Sequence, residues 1–124
     1  MLASQILHTG FPSLHLTDRV SLALQLMDEY DVQHLPVLSE DHYVGLIAKS
    51  DLLDVDEDQS IATIQDQFAN LSIKGEEHFL VALKMAAERE FSLVPVINEQ
   101  SELLGVITLA NLIQQLSRFV GNEE

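Results

Sequence analysis

GLIAKSDLL (Gly45–Leu53) and GVITLANLI (Gly105–Ile113) are two versions of one stretch, 60 positions apart. Each reads as the end of a strand, a tight turn and the start of a helix. The glycine, the apolar pair after it and the later leucine are kept, but Ala48 becomes Thr108 and Asp51 becomes Asn111. A turn made twice, with its polar residues divided between the copies, implies an internal duplication whose halves have different tasks.

Outward from the turns the repeat continues. Val20 to Leu38 align with Phe79 to Ile97 at an offset of 59, and Tyr43 to Leu53 align with Leu103 to Ile113 at 60, so one residue was added in the loop between. Val20, Ala23, Leu24 and Met27 lie at i, i+3, i+4 and i+7, as do Phe79, Ala82, Leu83 and Ala86, and this spacing predicts an amphipathic helix in each copy. Thr17 or Asp18 is placed to cap the first. A short apolar run follows each helix, HLPVL (His34–Leu38) or LVPVI (Leu93–Ile97). Its proline cannot donate a ladder hydrogen bond, which predicts Pro36 and Pro95 at strand starts or on edges.

The polar turns SEDH and NEQSE lead into YVGLI and LLGVI, runs too short for helices and rich in branched residues. Gly45 and Gly105 mark places where backbone or ligand comes close. A second helix is predicted from Ser50 in the first copy, and from Ala110 to about Phe119 in the second. With short strands at Ser13–Leu16 and Asn70–Ile73, the chain is a β-α-β-β-α unit made twice, an α/β (mixed α+β) fold. The acidic stretch Asp54–Asp58 reads as a solvated linker, which divides the chain at 1–58 and 59–124.

Composition limits the function. At 124 residues and 47% hydrophobic the chain suits one compact domain or two small halves sharing a core. Twenty acidic residues against six scattered basic ones give a net charge of −14, a field that repels phosphate backbones and anionic membranes, so neither nucleic acid nor a membrane is an expected partner. No run approaches the roughly 18 apolar residues of a membrane span, and MLASQILHTG lacks the basic start of a signal peptide, so a cytoplasmic location is expected. With no cysteine, disulfides and thiolate chemistry are excluded.

Motifs for catalysis or metals fail on spacing. Asp54, Asp56 and Asp58 alternate as in a calcium loop, but Gln59 stands where glycine is needed and Gln65 where a bidentate glutamate is needed. The five histidines include no H-x-x-x-H pair, and no nucleophile elbow or glycine-rich phosphate loop is present. No catalytic constellation and no metal site is expected.

The duplicated unit resembles the cystathionine-β-synthase (CBS) domain, and two in tandem resemble a CBS pair, or Bateman module, over nearly the whole chain. The resemblance rests on three features, in order and in duplicate: the helix with Ala23 or Ala82, the strands Leu35-Pro36-Val37 and Val94-Pro95-Val96, and the opening turn. It implies repeats related by a pseudo-twofold axis, two clefts for adenosine compounds such as AMP, ADP, ATP or S-adenosylmethionine, regulation of a partner protein, and no enzymatic activity. In this family the turn's Thr or Ser meets phosphate or ribose and its Asp holds the ribose diol. Repeat 1 keeps the diol clamp as Asp51 but has Ala48; repeat 2 has Thr108 but the neutral Asn111.

Two further basic residues favour repeat 1. Lys49 and His34 stand where related modules meet phosphates, and their counterparts are Leu109 and Leu93. The expected ligand-binding set is Asp51, Lys49, Ala48, His34 and Leu35, with Thr108, Asn111 and Val94 in repeat 2. A ligand-free dimerisation or interaction module is the alternative. A homodimer is implied in either case, since Leu22, Leu26, Val81 and Met85 extend the helices' apolar surface beyond one stripe.

Overall fold

The computed structural model describes residues 1–121. The predicted elements appear in order, and all but the second helix of the first repeat are present in both copies. Strand β1 (Leu14–His15), helix α1 (Val20–Glu29) and strands β2 (His34–Ser39) and β3 (His42–Ala48) form the first repeat. Strand β4 (Ile73–Lys74), helix α2 (Phe79–Arg89), strands β5 (Leu93–Ile97) and β6 (Leu103–Thr108) and helix α3 (Leu109–Gly121) form the second. Each sheet has three strands, ordered β1-β2-β3 and β4-β5-β6, with the first pair parallel and the second antiparallel. The periodicity placed the helices correctly: Val20, Ala23 and Met27 of α1, and Phe79, Ala82 and Ala86 of α2, are the buried positions.

Three local expectations are corrected. First, neither Thr17 nor Asp18 caps α1. Arg19 is the N-cap residue and makes no side-chain cap bond, and the Asp18 carboxylate instead accepts from the His15 amide at 2.8 Å. The helix amides are satisfied from far along the chain, Val20 N–H by the Gln59 carbonyl at 2.9 Å and Ser21 N–H by that of Glu57 at 3.0 Å. The acidic linker is thus folded back over the positive end of α1, where its charge is favourable.

Second, the helix expected from Ser50 is only a 3₁₀ turn, Lys49–Leu52. Its repeat-2 counterpart α3 runs for 13 residues. At the start of α3 the Thr108 hydroxyl accepts from the Asn111 amide at 3.1 Å, whereas Ala48 has no side-chain oxygen to do the same.

Third, Pro36 lies inside β2, the central strand. It pairs with Leu46, whose N–H and C=O are both bonded to Ala69 on the opposite side, each at 2.9 Å. That pair therefore exchanges no ladder bond, and β1 begins its own pairing only at Val37. Pro95 repeats the arrangement opposite Val106, which is bonded to His8.

Those two bridges show how the halves are joined. The N-terminal segment packs against repeat 2: Ala3 N–H bonds Glu77, Ser4 N–H bonds Gly75, and His8 covers the free edge of β6. Residues Ile61–Gln67, a kinked 3₁₀ segment, pack against repeat 1, and Ala69 covers the free edge of β3. Ala3 and Ile6 are buried in the core built on β5 and β6, while Ile61 and Ile64 are buried in the core built on β2 and β3. Each repeat thus completes its partner's sheet edge, and two short stretches, 9–13 and 70–72, carry the chain between the cores.

The strand glycines serve these crossings. A Cβ at Gly45, where φ is +152°, would lie 2.7 Å from the Phe68 Cβ. One at Gly105 would lie 2.9 Å from the His8 carbonyl oxygen. Of the two readings of these glycines, close backbone packing is the one observed.

Candidate functional site

The end of β3 sets the first-repeat turn. Ala48 pairs with His34, the Lys49 amide donates to the Gln33 carbonyl at 2.8 Å, and Leu52, 1% exposed, anchors the 3₁₀ turn in the core. Lys49 and Asp51 are left half-buried. Neither makes an ion pair among the described residues. His34, at the start of β2, completes the group.

His34 reaches across to the second repeat. Its Nδ1 lies 3.0 Å from the Ser92 hydroxyl, and its ring meets that of Phe91 edge-on, with centroids 4.8 Å apart. Burial pushes the His34 pKa below the ordinary histidine value, and the Asp51 carboxylate opposes that shift. Asp51 and His34 are therefore within electrostatic reach of each other. Arg89 adds a further positive charge, its guanidinium carbon 5.7 Å from the Phe91 ring centroid. Phe91, Ser92 and Arg89 were not in the expected ligand-binding set. Phe91 and Ser92 are the repeat equivalents of Val32 and Gln33, so the available signal was their place just before the proline strand.

The second-repeat turn has a similar backbone and different chemistry. Thr108 pairs with Leu93, and the Leu109 amide donates to the Ser92 carbonyl at 2.9 Å. The Thr108 hydroxyl is already engaged as the α3 cap. Asn111 is half-buried. Leu93, standing where repeat 1 has His34, is wholly buried. Leu35 and Val94 also have no exposed surface, so they line the two cores and present no side-chain surface beside the turns.

Structure thus collects Ala48, Lys49, Asp51 and His34 at one end of the first sheet and leaves Thr108 and Asn111 at the matching end of the second. Two cavities lie elsewhere. One of about 320 Å³ sits beneath residues 9–13, beside Leu103 and Glu102. Another of about 630 Å³ runs between the start of α2 and the later turns of α3, past Leu80 and Leu116. The turn residues line neither.

The repeat is matched by known proteins. A family model described as CBS domain matches residues 3–58 and again residues 55–118. Among solved structures, a CBS domain pair/ACT domain protein from Thermotoga maritima is similar at 25% identity and a TM-score of 0.86, over 95% of this chain and 98% of that one. CBSX2 in complex with AMP is similar at 18% identity and a TM-score of 0.80, over 95% of this chain and 97% of that one. The cytosolic domain of the Mg²⁺ channel MgtE in complex with ATP is similar at 15% identity and a TM-score of 0.75, over 91% and 48%.

Proposed function

Because the chain belongs to the CBS-domain family, carrying that domain twice, we propose that it is a regulatory module that binds an adenosine compound at the first-repeat turn and signals its occupancy to a partner protein. The observation that carries this reading is the gathering of Asp51, Lys49 and His34 at one sheet end, half-buried, with His34 against Phe91 and Ser92 of the other repeat. A carboxylate accepts both hydrogen bonds of a ribose diol, and such charge-assisted bonds are roughly twice as strong as neutral ones. Lys49 and His34 stand ready for phosphate. The fold is shared with a protein solved with AMP and with one solved with ATP.

The charge of −14 selects among such ligands. AMP, ADP with Mg²⁺, or the sulfonium of S-adenosylmethionine suits that field better than a bare ATP triphosphate. A binding event at the contact of His34 with Ser92 would alter how the two repeats meet, and this is the route by which a partner would sense it. CBS pair proteins are generally regulatory, and this reading assigns the chain no catalysis. The test is a thermal-shift panel of adenosine, AMP, ADP, ATP and S-adenosylmethionine, with and without Mg²⁺. A ligand at about a hundred times its dissociation constant adds about 2.7 kcal/mol, a rise of several degrees. Flat melting curves with every compound would refute the reading.

One observation favours a second reading, assembly without a ligand. Leu22 and Val81 are repeat equivalents, as are Leu53 and Ile113, and all four are exposed, at 37%, 39%, 72% and 55%. Apolar exposure at matching places in both repeats suits a self-complementary contact with a second copy of the same chain. A homodimer is proposed under both readings. Light scattering at micromolar concentration should give twice 13.8 kDa.

A further inference from the structure

The two crossing stretches are not equally filled underneath. Below residues 70–72 lies Tyr43, half-buried, with its hydroxyl donating to the Leu71 carbonyl at 2.6 Å. Its repeat equivalent is Leu103, which has neither the reach of a phenol nor a hydroxyl. Beside Leu103, beneath the other crossing, is the cavity of about 320 Å³. Its lining mixes apolar residues, Phe11 and Leu38 among them, with Thr9 and the acidic Asp41 and Glu102. No basic side chain lines it among the described residues.

We propose that this cavity is a binding site for a small aromatic amine, whose ring takes the place that Tyr43 fills in the first repeat and whose ammonium meets Asp41 and Glu102. Its volume is at the small end of the range for ligand pockets, about 300 to 1,000 Å³. A lining that combines apolar residues with two carboxylates suits a ring with a charged tail. Glu102 is held in place, since one of its carboxylate oxygens accepts from the Asn98 amide group at 2.9 Å. An ammonium donates charge-assisted bonds to both carboxylates, and the negative field of the whole chain draws a cation inward. No turn residue lines the cavity: on β6 its lining runs from Leu103 to Val106 and stops two positions short of Thr108.

The probe is tyramine, which joins the Tyr43 side-chain group to an ammonium, titrated calorimetrically against the full chain. One molecule should bind per chain, and 4-hydroxyphenylacetate, with the same ring and the opposite charge, should bind at least about tenfold more weakly. Leu103→Tyr should fill the cavity and abolish tyramine binding. Asp41→Asn, at an exposed position that leaves the fold untouched, should weaken it by about threefold to tenfold. Undiminished binding to a folded Leu103→Tyr, equal binding of the anion, full affinity in Asp41→Asn, or no wild-type binding up to about 10 mM would each overturn the proposal.

Discussion

Asp51 and Asn111 hold equivalent positions, and the contrast between them is measurable. Charge-assisted bonds contribute about 1.5 to 3 kcal/mol and neutral ones about 0.5 to 1.5, so Asp51→Ala should remove most of any adenosine-induced rise in melting temperature. Asn111→Ala should leave it largely intact. Calorimetry with the reverse ranking would move the site to repeat 2. His34 makes a separate prediction about pH. Its folded pKa lies below the ordinary value because burial disfavours the imidazolium, so the unfolded chain binds its proton more readily. Its contribution to stability is therefore complete above about pH 6.5 and falls as pH drops below that value. Denaturant midpoints from pH 7.5 to 5.5 should decline less in His34→Gln than in wild type, and parallel declines would reject this role. Asp51, Lys49 and His34 could be named from the family resemblance, since each lies in a local motif that carries it. Ser92, 58 positions from His34, comes to it only through the pairing of repeats. Leu35 and Val94 have no exposed side-chain surface because the apolar strand that carries the motif is also the middle of a core.

At the scale of elements, the Thr108 hydroxyl caps α3 and the 3₁₀ turn at Lys49–Leu52 has no matching cap. Thr108→Ala should cost about 1 kcal/mol in chemical denaturation, with the loss confined to α3 in amide exchange. The strand glycines should be less forgiving. Gly105→Ala would push a Cβ against the carbonyl of His8, a backbone atom with no freedom to swing aside, and should cost about 1 to 3 kcal/mol. Gly45→Ala should cost more, since positive φ adds backbone strain to its contact with Phe68. A melting temperature unchanged in both would show that the edge segments are loosely held. Strand and helix positions were legible because periods of 2 and 3.6 are local properties. The cap of α1 was not, because the carbonyls that supply it belong to Glu57 and Gln59, more than thirty positions after the helix begins.

For the whole molecule, the exchanged segments make the halves dependent on each other. A fragment of residues 59–124 carries away Ile61 and Ile64, which repeat 1 needs, and lacks Ala3 and Ile6, which its own core needs. It should show no cooperative melting by circular dichroism, and a sharp transition would contradict the exchange. The duplication itself was plain in the sequence. The crossing was not, since a repeat alignment says which residues correspond and nothing about which copy they pack against. The same crossing has a consequence for how the protein is made. His8 bonds Val106, so the segment that carries His8 must wait for a strand made nearly a hundred residues later. At about 5 to 20 residues per second, that is roughly 5 to 20 s on the ribosome with the edge of the second sheet still to come. Repeat 1 can close once residue 69 has emerged, whereas the N-terminal segment cannot complete its pairing until Val106 has been made, and the slowest folding event should be the return of that segment to β6.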